Sequence, residues 1–111
     1  MMRPAHVAVR AVGAYVPPKR LTNDDLAKFV DTSDAWIRSH TGIGARHLAE
    51  DSVATSDLAV GAVKDLLRRH GIQKEEIGAI ILATATQDFL GFPATACVIQ
   101  DKLGIRTIPA F

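Results

Sequence analysis

The sequence predicts an α/β fold in which helices are layered on a mixed, largely parallel sheet, and three observations carry the prediction. An amphipathic helix pattern runs from about Ser56 to His70, with Ala59, Ala62, Val63, Leu66 and Leu67 on one face and Lys64, Asp65, Arg68 and Arg69 on the other. A nearly unbroken apolar run, Ile77 to Ala85, follows it without the alternation of a half-solvated strand, as expected of a strand covered on both faces. Strand-like and helix-like segments then alternate along the whole chain, which is the order of a layered α/β protein.

The elements follow in sequence. His6 to Tyr15 places Val7, Val9 and Ala11 on one face and stops at Pro17-Pro18, so it reads as a first strand. Thr22 or Asn23 caps a short helix through about Val30, with Asp24 and Asp25 near its positive end. Thr32 or Ser33 caps a second helix carrying Trp36 and Ile37. Gly42 and Gly44 break that region, Ala45-Arg46-His47-Leu48 reads as a short extended piece, and Ala49 to Thr55 as a polar turn. Gly71 stops the long helix. After the apolar strand comes a loop, Thr84 to Gly91. Pro93 then suits the first position of a helix that is apolar nearly all round from Ala94 to Ile99, and Gly104 closes it before a last strand, Ile105 to Phe111.

The composition is that of an ordinary globular protein: 111 residues, 48% hydrophobic, 23% charged, net charge +1. Scattered basic residues and so small a net charge give no reason to expect nucleic acid or an acidic membrane as partner, so any phosphate recognition must be local. The longest apolar run is too short to cross a bilayer, and no apolar signal core follows Met1. Cys97 is the only cysteine, so a reducing, cytoplasmic home is the default and a buried structural thiol its first reading. The glycines form neither a GxGxxG nor a phosphate-binding loop, and the histidines and cysteine have no metal-ligand spacing. The apolar helix and a strand ending at the last residue suggest an incomplete portion of a larger domain over residues 1–111, without an internal boundary.

The most informative stretch is Asp31-Thr32-Ser33-Asp34-Ala35-Trp36-Ile37-Arg38-Ser39-His40-Thr41-Gly42-Ile43. Trp36 offers a flat face to an adenine ring, Thr32 and Ser33 offer hydroxyls at a helix start, and Arg38, His40, Arg46 and His47 offer donors to phosphates. That is the chemistry of a nucleotide-tailed ligand. Read alone, Trp36 is more often a core or interface anchor than a ligand face, and Arg46 and His47 serve equally as members of a surface or sheet-edge ion pair.

Over essentially its whole length the chain resembles the amino-terminal third of β-ketoacyl-acyl-carrier-protein synthase III, a thiolase-fold condensing enzyme. The resemblance rests on Gly13-Ala14-Tyr15-Val16-Pro17, Thr22-Asn23-Asp24-Asp25-Leu26, Asp31 to Ile37, Thr41-Gly42-Ile43 with Arg46-His47, Phe92-Pro93-Ala94-Thr95-Ala96-Cys97, and Leu103-Gly104-Ile105 leading to Pro109-Ala110-Phe111, in this order and spacing. It implies a five-layered αβαβα fold, a cytoplasmic homodimer, and decarboxylative Claisen condensation of a short acyl-CoA, such as acetyl-CoA, with malonyl-acyl-carrier protein. The implied nucleophilic cysteine, histidine and asparagine all fall after Phe111, so no catalytic residue is assigned here, and Cys97 is not the nucleophile. Trp36 is implied to stack on the CoA adenine, Thr32 to be a neighbouring contact, and His40 to stand where the family often has an arginine near the CoA phosphates. Phe92 is implied to line an acyl pocket across the dimer interface; read alone it is a core aromatic. The loop before it, Gln87 to Gly91, is about one residue longer than is common in the family. No cofactor is implied beyond acyl-CoA as substrate. Two other readings stay open: a thiolase-fold acyltransferase of secondary metabolism, and a non-catalytic CoA-binding or assembly module.

Overall fold

The computed structural model describes residues 7–111, and the chain divides there at Val16 and Thr55. One unit is Val16–Ala54; the other joins Thr55–Phe111 to the described residues before Val16.

In the Val16–Ala54 unit, two prolines hold Pro17 and Pro18 out of any ladder, so strand β1 starts at Lys19 and runs Lys19–Thr22. It pairs antiparallel with β2 (Ala45–Leu48), Lys19 opposite Leu48 and Thr22 opposite Ala45. The extended piece expected at Ala45 to Leu48 is therefore a strand. Thr22 ends β1 and caps helix α1 (Asn23–Leu26) through a reciprocal box: its hydroxyl accepts the Asp25 N–H at 3.1 Å, and the Asp25 carboxylate accepts the Thr22 N–H at 3.2 Å. The helix expected to reach Val30 stops at Leu26 and continues only as turns. Phe29 and Val30 stay exposed, so no packed face holds a further helical turn. Helix α2 (Asp34–Thr41) is capped by Ser33, whose hydroxyl accepts the Trp36 N–H at 3.2 Å, and is closed by Gly42 at φ 72°.

The unit is tied together by Asn23, which is 1% exposed. Its amide nitrogen donates to Asp34 Oδ1 and to the Ile43 carbonyl, both at 2.8 Å, and its oxygen accepts from Arg46 Nη2 at 2.7 Å. A single side chain thus joins α1, α2, the turn after α2 and β2. Ile37 supplies the buried apolar contact of α2.

In the other unit, α3 (Thr55–His70) and α4 (Thr95–Leu103) pack on each other, with Val60, Ala96, Ile99 and Ile105 buried. Burial of each large aliphatic side chain is worth about 1.5–3 kcal/mol. The long helix occupies the predicted span within one residue, because apolar periodicity and a Gly71 stop at φ 61° agree. Asp65 departs from its predicted solvent face: its carboxylate accepts the Ala14 N–H at 3.2 Å and pairs with Arg68 and Arg69.

Three predicted strands are corrected. The described part of His6 to Tyr15 forms no strand; His6 itself lies outside the described residues. The segment instead lies on α3, so closely that a Cβ added to Gly13 would stand 2.5 Å from Leu66 Cβ; its Ala14 N–H donates to Asp65 and its Val12 carbonyl lies 3.1 Å from His70 Nε2. The runs Ile77 to Ala85 and Ile105 to Phe111 form one parallel bridge, Ile80 with Ala110, held by Ile80 N–H to Pro109 O at 2.9 Å and Phe111 N–H to Ile80 O at 3.0 Å, and continued by Leu82 N–H to Phe111 O at 2.9 Å. Among the described residues the one sheet is the antiparallel β1–β2 pair, and the parallel contact is this single bridge, in a chain of mixed α and β structure. A 3-10 turn at Lys74–Glu76, unforeseen in sequence, is capped by Gln73 with Glu76.

Pro93 is not the first residue of α4. Ala94 keeps an extended backbone and Thr95 begins the helix, its hydroxyl accepting the Asp88 N–H at 3.0 Å. Asp88 Oδ1 also accepts the N–H of Ser56, a residue with no exposed surface, while Lys102 Nζ donates to Ser56 Oγ and Asp57 Oδ1, each at 2.6 Å. The start of α3, the loop before Phe92 and the body of α4 share one polar knot.

Candidate functional site

Helix α2 presents the two aromatic rings that the sequence singled out. Trp36 and His40 stand one helical turn apart, their spacing on one face, and their rings stack with centroids 4.2 Å apart and planes 20° from parallel. Trp36 is 56% exposed although one face of its indole is stacked on the imidazole. His40 Nδ1 lies 2.8 Å from the Trp36 carbonyl oxygen, and Ser39 Oγ donates to the same oxygen at 2.8 Å. The pair is an aromatic platform with a hydrogen-bonding edge, mounted on a helix that Asn23 anchors from below.

The remaining candidate donors are engaged within the protein. Arg38 Nε donates to Asp34 at 2.8 Å, and its guanidinium lies against Gly44, where a Cβ would stand 2.7 Å from Nη2. Arg46 donates to Asn23, and its other terminal nitrogen is buried without a hydrogen-bond partner. His47 Nδ1 lies 2.6 Å from the Pro17 carbonyl oxygen, which fixes its ring beside β1. The Thr32 hydroxyl is also buried and has no protein partner. Trp36 and His40 come together as a surface; Arg38, Arg46 and His47 stabilise the unit that carries it.

Electrostatics around the platform follow from these contacts. The Asn23 amide, then the Arg38 guanidinium, hold the Asp34 carboxyl below the usual carboxylate range, against some desolvation. The Lys28 ammonium, with Thr22, holds Asp25 far below that range, and Asp25 raises Lys28 in return. Among the described residues no group of histidine, cysteine and carboxylate side chains is placed to hold a metal ion, and no helix is long and apolar enough to cross a membrane.

Phe92 belongs to the other unit and is 95% exposed, which overturns its reading as a core aromatic. The loop that precedes it is fixed by Asp88 and by a Thr55 hydroxyl bond to the Thr86 carbonyl, and with α4 it borders an open cleft of about 220 Å³ that includes Leu82, Phe89 and Phe111. Cys97 is exposed rather than buried: in the first turn of α4 its thiol points to the Ala110 carbonyl at 3.6 Å, on the side away from buried Ala96 and Ile99. Sequence reasoning missed Asn23 and Asp88 as organising residues. Asn23 stood in the sequence only as one of two candidate helix caps and Asp88 only as a polar loop residue, readings that a cap and a loop explain equally well.

No protein-family model matches the chain. Curated relatives do. A β-ketoacyl-[acyl-carrier-protein] synthase III of a Sulfurovum species is 50% identical over 109 residues, which is 98% of this chain and 32% of the relative, and the corresponding protein of Sulfurimonas denitrificans is 46% identical over 107 residues. Among solved structures, the synthase III of Thermus thermophilus superposes with a TM-score of 0.81 at 46% identity, over 93% of this chain and 32% of the other. The priming β-ketosynthase of the R1128 polyketide pathway superposes at 0.75 with 25% identity, over 89% of this chain and 30% of its own. The chain spans about a third of the length of the relatives it matches.

Proposed function

Because the chain belongs to the β-ketoacyl-[acyl-carrier-protein] synthase III family and carries part of its thiolase-like fold, we propose that it supplies the coenzyme-binding part of a condensing enzyme that initiates fatty-acid synthesis. In this reading the complete enzyme is an acyltransferase. It takes a short acyl group, such as acetyl, from CoA onto a cysteine beyond Phe111 and condenses it with malonyl-acyl-carrier protein as carbon dioxide leaves. CoA is a substrate, and no resident cofactor is needed. The enzyme acts in the cytoplasm as a homodimer.

The observation that carries the reading is the exposed Trp36 ring backed by His40 on an anchored helix. A stacked partner behind the indole fixes its plane before ligand arrives, so little side-chain freedom is lost when an adenine settles on the opposite face. His40, stacked behind the indole, is the partner for phosphate at its edge, and Thr32 stands at the start of the same helix with its hydroxyl buried and unpaired. Trp36 and His40 bind and orient the coenzyme; they move no bond of the thioester. Phe92, exposed on a loop pinned by Asp88, supplies an apolar wall to the acyl pocket, where its bulk limits chain length.

Uniform binding contacts of this kind govern KM rather than turnover. In the full-length protein, Trp36→Ala raises the KM for acetyl-CoA about tenfold with turnover within about twofold, since one lost aromatic stack is worth about 0.5–1.5 kcal/mol beyond its buried area. An unchanged KM removes the stacking role. The likeness to a polyketide-priming enzyme favours a second reading, in which the same scaffold takes other acyl groups for secondary metabolism. Comparison of kcat/KM across acetyl-, butyryl- and branched acyl-CoA separates the two.

A further inference from the structure

The edge of the Trp36 platform is a histidine, and its hydrogen bonding decides when it can serve an anion. His40 Nδ1 lies 2.8 Å from the Trp36 carbonyl oxygen, an atom that only accepts, so this nitrogen carries a proton. Ser39 Oγ, 3.0 Å from Nδ1, gives its own hydrogen to the same carbonyl. A neutral imidazole has a single N–H. With that proton committed to the helix backbone, Nε2 keeps a lone pair, and a phosphate oxygen would meet it as acceptor against acceptor. A proton taken from solvent onto Nε2 reverses this. Nε2 then donates, the ring is a cation, and its stack on the indole gains a cation–π component.

We propose that the phosphate end of CoA binds beside Trp36 together with one proton, taken up on His40 Nε2, so that affinity weakens as pH rises from about 6 to about 8. The proposal rests on the CoA reading above and adds its regulation. The charged groups of the elements around α2 are otherwise occupied. On α2 itself Asp34 pairs with Arg38; on α1 Asp25 pairs with Lys28, which Asp24 also attracts; on β2 Arg46 is held by Asn23 and His47 by Pro17. Among the described residues none forms an ion pair with His40.

Calorimetric titration of the full-length protein with CoA at about pH 6 and about pH 8, in two buffers of different ionisation enthalpy, tests this. The expected result is affinity about fivefold weaker at the higher pH, with buffer-dependent heat reporting uptake of up to about one proton. The ligand's own phosphate ionises over the same range and favours a fixed cation at high pH, so His40→Arg should abolish or invert the trend. His40→Gln should bind weakly at both pH values; both substitutions replace an exposed side chain. Pantetheine, which lacks the phosphates, should bind without pH dependence. CoA binding of equal strength at both pH values with no proton uptake overturns the proposal and leaves the CoA reading intact. Failure of wild-type protein to bind CoA at either pH overturns that reading, and this proposal with it.

Discussion

The two units of the chain solve the same problem, holding short elements together, with opposite chemistry. In Val16–Ala54 the organiser is polar: Asn23 uses both donors and its acceptor to join four segments, and only Ile37 is a buried aliphatic side chain. In the unit built on α3 and α4, Val60, Ala96, Ile99 and Ile105 make an apolar core, and the polar knot of Ser56, Asp88, Thr95 and Lys102 sits at its edge. Directional bonds fix angles, whereas apolar contacts mainly fix proximity. A unit that must present one aromatic face in one orientation gains more from the first; a unit that packs two helices gains more from the second.

The largest effects should come from the organisers. Asn23→Leu keeps the volume but leaves Asp34, the Ile43 carbonyl and Arg46 without their partner, and should cost about 3 kcal/mol or more. Hydrogen exchange read by mass spectrometry on the full-length protein should rise in peptides from residues 16–54 and in few others, and CoA affinity should fall with it. Ile99→Ala should cost about 2–5 kcal/mol through the cavity it leaves, with exchange rising in the α3 and α4 peptides instead. If both substitutions loosen the same peptides, the contrast between the two units is wrong.

That contrast also explains what was legible in the sequence. Helix α3 could be read nearly to the residue because apolar periodicity is a local property, and the Ser33 and Gly42 ends of α2 because caps are local as well. The strands other than β2 could not. Val7 to Ala11 and Ile77 to Ala83 have strand composition, but a strand exists only where a second backbone accepts its hydrogen bonds, and that partner is set by tertiary structure. At the candidate site, Trp36 and His40 were legible as chemistry, and their i, i+4 spacing implies the stack. Engagement of Arg38, Arg46 and His47 by neighbours was not, since each is held by a group four to thirty residues away in sequence. Cys97 misled because a residue within an apolar run is expected inside, while the helix phase turned it out.

An intermediate effect is expected where the extended segment meets α3. Gly13→Ala introduces a methyl group 2.5 Å from Leu66 Cβ and 2.6 Å from the Ala62 carbonyl oxygen, both within the body of the helix side. Overpacking of this kind costs about 1–3 kcal/mol. The urea midpoint should fall and exchange should rise in peptides around residues 10–15, while the Asn23-centred unit keeps its protection.

The smallest effect separates the two partners of Asp34. Its pKa is depressed first by the Asn23 amide and second by Arg38, so its contribution to stability is fully present above the ordinary carboxylate range near pH ~4 and is lost as pH falls through the lower folded value. Asp25, Asp65 and Glu76 shift in the same direction and behave alike, so acid should destabilise both units only below about pH 4. Arg38→Ala removes the exposed ion pair but leaves the Asn23 bond. It should therefore leave neutral-pH stability unresolved from wild type and move the acid limb of the Val16–Ala54 unit slightly toward higher pH, because the Asp34 carboxyl is then less depressed. Circular dichroism from pH 7 to pH 2, paired with exchange measurements, reads both quantities. A large loss at neutral pH would mean that the guanidinium, lying on Gly44, and not the buried amide, holds α2 in place.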